Sequence, residues 1–176
     1  MSNLRFIKSV TGTSVSTVNV TDVFTSDYDI YKITLKDVDL NPSGTNAQLR
    51  MRFINANGFV EAANDYDYGY HNVKSFSSFT EGKAQNTSYI EGLIWLGGDS
   101  NHAGGSNVYV FNPYNNDLTT MCLYYSTSAI NTGDKHYYTR GIGMYENLAR
   151  MTGFEITTSD NTIDNVKINV YGYRVD

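Results

Sequence analysis

Short stretches in which apolar and polar residues alternate recur along the chain, separated by turn residues. Tyr31, Ile33 and Leu35 alternate with Lys32, Thr34 and Lys36, and Leu49, Met51 and Phe53 with Arg50 and Arg52. Period-two alternation marks a strand with one face buried and one face wet. The turn-rich Asn41-Pro42-Ser43-Gly44-Thr45-Asn46 between them predicts a long hairpin. Further strands are predicted at Tyr89 to Leu96, Val108 to Phe111, Thr119 to Tyr125 and, more weakly, His136 to Gly141. Met151 to Thr157 and Val166 to Tyr173 flank Thr158-Ser159-Asp160-Asn161-Thr162 and read as a closing hairpin. Near the start, Leu4 to Val10 and Ser14 to Val20 are separated by Thr11-Gly12-Thr13. Roughly eight to ten short strands at regular spacing predict a sandwich or barrel.

Helical signals are thin. Val73 to Glu81 and Met144 to Arg150 have room for a turn or two, but neither sustains an i, i+3, i+4, i+7 stripe. No helix alternates with strands, which argues against parallel α/β architectures. The fold expected is all-β, a single jelly-roll-like antiparallel β-sandwich domain over residues 1–176. Residues 62–88 form its most irregular part, long and polar with embedded aromatics, and loops of that length tend to be functional or disordered.

Composition supports this picture and narrows the partners. Fifteen Tyr and fifteen Gly stand against two Pro; Tyr suits a pleated, half-buried surface, and Gly supplies turns. The net charge is −5 and only 18% of residues are charged. With no cluster of Lys and Arg, nucleic acid is not an expected partner. No run of about 18 apolar residues occurs, so no transmembrane helix and no membrane insertion are expected. No apolar stretch of signal-peptide length follows Met1 to Arg5, so the two sequons at Asn19 and Asn86 read as chance matches. Cys122 is the single cysteine and cannot form an intrachain disulfide. Inside the apolar run Met121 to Tyr125 it reads as a buried small hydrophobe.

Candidate chemistry is sparse. Carboxylates come in close pairs, Asp27 and Asp29, Asp37 and Asp39, Asp65 and Asp67. On a strand, i and i+2 share a face, so each pair brings oxygens together as Ca²⁺ ligation requires. No EF-hand loop is present, and solvated Asp-x-Asp is the plainer reading. His71, His102 and His136 lack the spacing of a transition-metal site. The glycine-rich stretch 97–105 around His102 lacks the Gly-Lys-Ser/Thr ending of a phosphate loop. No nucleophile elbow and no Cys–His arrangement occurs. No catalysis, no cofactor and no resident metal are therefore expected, with Ca²⁺ as the one candidate ion. The segment richest in contact chemistry is Asn64 to His71. Its residues Asp65, Tyr66, Asp67, Tyr68, Tyr70 and His71 are the candidate interaction residues, because Tyr gives large contact area at low entropy cost. The alternative is an edge strand whose tyrosines pack along the domain.

The succession of segments resembles a module of tailed-bacteriophage virion proteins. Asp29-Ile30-Tyr31-Lys32-Ile33-Thr34-Leu35, then Leu49-Arg50-Met51-Arg52-Phe53 and Asp65-Tyr66-Asp67-Tyr68 resemble its opening strands. Val108-Tyr109-Val110-Phe111-Asn112-Pro113 resembles its "I-x-(I/V)-x-N-P" strand. Thr152-Gly153-Phe154 and Val170-Tyr171-Gly172-Tyr173 are similar to its closing strands. The likeness spans roughly residues 28–173. It implies a jelly-roll-like sandwich made in the host cytoplasm and incorporated in the virion. There it would dock on major capsid or tail proteins, as a capsid decoration (cement) subunit or a short tail-associated or fibre-tip subunit. Such parts are commonly homo-oligomers, a trimer being the first expectation by analogy. Two other classes are a carbohydrate-binding module meeting host-surface glycans through 64–71 or 97–105, and a glycan-degrading enzyme.

Overall fold

The computed structural model describes residues 3–41, 47–96, 103–130, 135–160 and 162–174. The expected turn at 42–46, His102 with the 97–102 part of the glycine-rich stretch, and Asn161 lie outside the described residues. Twelve strands are present among them: β1 (Leu4–Val15), β2 (Thr17–Val20), β3 (Ile30–Asn41), β4 (Ala47–Asn55), β5 (Tyr66–Lys74) and β6 (Thr80–Thr87). The second half of the chain adds β7 (Ile90–Leu96), β8 (Gly104–Phe111), β9 (Thr120–Ile130), β10 (Lys135–Tyr145), β11 (Met151–Thr158) and β12 (Thr162–Tyr173). No described residue is helical.

The strands form two antiparallel sheets, one of eight strands in the order β1-β12-β3-β8-β9-β10-β5-β6 and one of four, β2-β11-β4-β7. The all-β sandwich expected from period-two alternation is the architecture observed. Tyr31, Ile33 and Leu35 of β3 and Leu49, Met51 and Phe53 of β4 are fully buried, each set facing the other sheet. Burying such side chains contributes about 1.5–3 kcal/mol each before ordering costs are set against it. The basic residues between them point away from the core. Arg50 donates through two nitrogens to Glu91 of β7 at 2.8 and 2.6 Å, and Arg52 lies 3.4 Å from Glu155 of β11. Both ion pairs tie neighbouring strands of the small sheet.

Two expected hairpins are corrected. β3 pairs with β12 and β8 in the large sheet, whereas β4 pairs with β11 and β7 in the small one. β11 and β12 likewise belong to different sheets. Alternation reveals which face of a strand is buried but not which strand it bonds to, and a chain crossing between layers carries the same signature as a hairpin. Residues 62–88 are also better ordered than expected, since β5 and β6 pair as a hairpin at one end of the large sheet. The helical turns considered at 73–81 and 144–150 are instead strand ends and bends.

At Gly153, where β11 shifts register against β4, a Cβ would lie 2.2 Å from the Val20 carbonyl oxygen and 3.0 Å from the Thr21 Cα. Both obstacles are backbone and cannot rotate away. Gly153→Ala is predicted to destabilise the domain by about 3 kcal/mol, the upper range for overpacking, in urea unfolding. An unchanged midpoint would contradict this packing.

Candidate functional site: the outer face of the eight-stranded sheet

An antiparallel sheet needs only one covered face, and strands in such sheets usually alternate apolar and polar residues. β9 and β10 depart from that rule. The inward residues Cys122 and Tyr124 of β9 and Tyr137, Thr139 and Tyr145 of β10 are buried, and β7 packs across this side. The outward residues are apolar too. Leu123 is 45% exposed and Ile142 60%, with Met121, Tyr125 and Tyr138 also open to solvent. Leu123 and Ile142 are direct cross-strand partners, as are Met121 and Met144. The small sheet lies on the opposite side, so nothing in the described chain shields this face.

Two depressions mark it. One of about 830 Å³ is lined by Met121, Leu123, Ile142 and Met144, with Gly69 in its floor and Asp67 and Lys83 at its rim. The other, about 730 Å³, follows toward the far end of the same strands, between Val73, Thr127, His136 and Tyr138. Gly69 deepens the first: a Cβ there would meet nothing closer than 4.0 Å. Further along, Tyr109 stacks between Tyr125 and Tyr173 with ring centroids 6.3 and 6.2 Å away. Desolvation, then the hydroxyls of those two neighbours, push the Tyr109 phenol above its ordinary value.

The six candidate residues from the sequence are divided by the pleat. Tyr66, Tyr68 and Tyr70 share a register face with Tyr145, Gly143 and Gly141 and point inward. Tyr66 is core: its hydroxyl accepts from the Phe53 amide at 2.8 Å and donates to the Glu61 carbonyl at 2.9 Å. Tyr68 donates to Glu91 at 3.0 Å and lies nearly parallel to Tyr70, 6.1 Å away. Tyr70 packs so closely on Gly92 and Gly82 that a Cβ at either would overlap its ring. Asp67 and His71 point outward. Asp67 accepts from the Asn86 amide at 3.0 Å, and His71 meets the Phe79 ring edge-on at 5.4 Å. Asp65 precedes β5 and accepts from Asn147 at 2.6 Å.

The Ca²⁺ candidates fare differently from pair to pair. Asp67, with Asp65 behind it, holds the exposed Glu146 carboxyl above its ordinary value. Asp37 sits at a register shift of β3 in a left-handed conformation (φ 51°), which breaks the i, i+2 geometry with Asp39. Among the described residues no group of three His, Cys, Asp or Glu is arranged to hold a metal ion. Cys122 is buried, and desolvation pushes its thiol up to about 12.

Sequence reasoning passed over Leu123, Ile142, Met121 and Tyr138. The signal was present: Met121 to Tyr125 is apolar at every position, as if both faces of the strand were to be buried.

No protein-family model and no curated protein matches the chain. Among solved structures it is similar to a fructofuranosidase from Schwanniomyces occidentalis, complexed with fructose (12% identity, 96% of this chain, 34% of that one, TM-score 0.28). The chain thus spans about a third of that enzyme's length. It is also similar to the PL-14 alginate lyase of Aplysia kurodai (10%, 85% and 70%, TM-score 0.31). A third is the CBM2 module of the evolved Dit of Lactobacillus casei BL23 phage J-1 (7%, 91% and 69%, TM-score 0.28). Likenesses this distant carry no argument about function.

Burial sets the alkaline behaviour of the domain. Desolvation is the leading cause that raises the phenol pKa of Tyr31, Tyr66, Tyr68, Tyr70, Tyr124, Tyr137 and Tyr145. The folded state holds these protons more tightly than the unfolded chain, whose tyrosines titrate near about 10. Their contribution is therefore fully present below about pH 10 and lost as pH rises beyond it. Urea unfolding should show stability falling steeply above that pH, with the tyrosinate absorbance of these seven appearing together with unfolding. Ionisation of all fifteen tyrosines in a chain that stays folded would contradict the burial described.

Proposed function

We propose that this chain is a non-enzymatic virion structural protein of a tailed bacteriophage, acting by contact through the outer face of its eight-stranded sheet. One observation carries the contact reading: a sheet face bearing exposed Met121, Leu123, Tyr125, Tyr138 and Ile142 that none of the described residues covers. Contiguous apolar patches of this kind mark interaction sites, because leaving them in water forgoes the free energy of burial. The ordered resemblance of residues 28–173 to virion modules supports placing that contact in a phage particle. On this reading the protein is a decoration subunit of the capsid or a small subunit of the tail.

A second reading, carbohydrate binding, is favoured by the row of Tyr125, Tyr109 and Tyr173, whose neighbouring rings are 6.3 and 6.2 Å apart and inclined by 29° and 30°, because aromatic rings offer large apolar contact faces. A glycan-array signal abolished by Tyr125→Ala would promote it, and a blank array would remove it. The aliphatic character of Leu123, Ile142, Met121 and Met144 favours protein instead, since these side chains offer neither ring faces nor hydrogen bonds to hydroxyls.

Leu123→Asp combined with Ile142→Asp should leave the folded domain intact, because both side chains point to solvent. The double variant should fail to enter particles when the gene is supplied in trans, as read by mass spectrometry of purified virions. Wild-type incorporation of the variant, or absence of the natural protein from virions, would overturn the proposal.

A further inference from the structure

The strand register lets the outer face be read as rows running across the whole large sheet. One row is Phe6, Tyr171, Lys32, Tyr109, Leu123, Ile142, Gly69 and Lys83, a residue from each strand in sheet order. On one side is Ser9, Asn169, Thr34, Asn107, Tyr125, Arg140, His71 and Glu81, which is polar at nearly every position. On the other is Leu4, Tyr173, Ile30, Phe111, Met121, Met144 and Asp67. The first row is uneven in height. It is high at one end, where Phe6 is 62% exposed and braced edge-on by Tyr171 at 5.7 Å. It is low at the other, where Gly69 floors the depression.

We propose that the partner covering this face is a second copy of the chain, in a two-fold pair with the two large sheets face to face. The proposal rests on the reading of the face as a contact surface and names its occupant. A two-fold axis running along the strands between β8 and β9 reverses the strand order and sets each row opposite itself. At the centre Tyr109 meets Leu123 of the second copy, and Phe111 meets its Met121. Lys32, with an aliphatic stem, lies against Ile142, and Tyr173 brings its hydroxyl to Asp67. The raised Phe6–Tyr171 edge falls on the Gly69 and Lys83 end, filling the hollow and offering Lys83 an aromatic face. The polar row meets itself, Thr34 and Asn169 facing Arg140 and His71.

Size fits as well. Eight strands about 4.8 Å apart, and a face about 27 Å long, give roughly 900 Å² per copy. A stable interface needs about 800 Å² per partner. Aligned sheets pack within about 30° of one another, which preserves the central pairs best.

Sedimentation equilibrium of the full chain, over a concentration series reaching its solubility, should give twice the chain mass. Ile142→Asp should return it to a monomer. Gly69→Trp should do the same by filling the hollow, since the position has open space and ordinary backbone angles, and Phe6→Ala should weaken the pair at least tenfold. Thermal unfolding monitored alongside confirms that each variant folds; should Gly69→Trp not fold, Ile142→Asp and Phe6→Ala carry the test. A monomer at all concentrations, a trimer, or a dimer indifferent to these substitutions would overturn the pair. Failure of the two readings is distinguishable: a dimer absent from virions sinks only the virion assignment, and a monomer that still enters particles sinks only the pairing.

Discussion

The fold depends on a mismatch in the size and number of its sheets. Eight strands lie in one layer and four in the other, and the four can shield only one side of the eight. The inner side follows ordinary sandwich physics, with Ile33, Leu35, Val108, Val110 and Tyr124 excluded from water against the small sheet. The outer side of β9 and β10 is built from the same kinds of side chain, and no described strand lies above it. Contiguous exposed apolar side chains of that kind mark interaction sites, because covering them removes apolar surface from water, and the functional account follows from that constraint.

The geometry of the pleat explains why the tyrosine-rich segment is not itself the exposed surface. In β5 every second residue turns inward, and Tyr66, Tyr68 and Tyr70 occupy those positions. Tyr66 serves the core by satisfying the Phe53 amide and the Glu61 carbonyl, while Tyr70 fills the space that Gly82 and Gly92 leave. The outward positions of the same strand, Asp67, Gly69 and His71, carry small or polar groups. They form a hollow beside the aliphatic ridge of Leu123 and Ile142 rather than a ridge of their own. Contact chemistry and core chemistry are thus interleaved one residue apart.

Much of the fold was legible in the sequence, and what escaped has physical reasons. Alternation at 31–35 and 49–53 gave the correct inward residues because the opposite face of each strand is charged. It could not give the partners of β3 and β4, because hydrogen bonding between backbones leaves no mark on side-chain order. The β5–β6 hairpin was obscured by Gly69, Gly82 and Ala84, small residues that blur a hydrophobic period although the Tyr-x-Tyr-x-Tyr spacing was visible. The apolar run Met121 to Tyr125 is legible as a strand, and Cys122 within it as buried, but the run does not say which of its other side chains face out. An unbroken apolar strand in an antiparallel sheet means two buried faces, and only a view of the other sheet tells that one of them awaits a partner.

The central claim is that protein covers Leu123, Tyr125, Tyr138 and Ile142 when this chain does its work. Imaging the parent phage by electron cryomicroscopy, at a resolution that resolves side chains, tests it directly. The account predicts density for this sandwich in the particle, with the outer face of its large sheet packed against another protein surface and β6 or β1 at the rim. A sandwich bound through its small sheet or its loops, leaving Leu123 and Ile142 open to solvent, would contradict it.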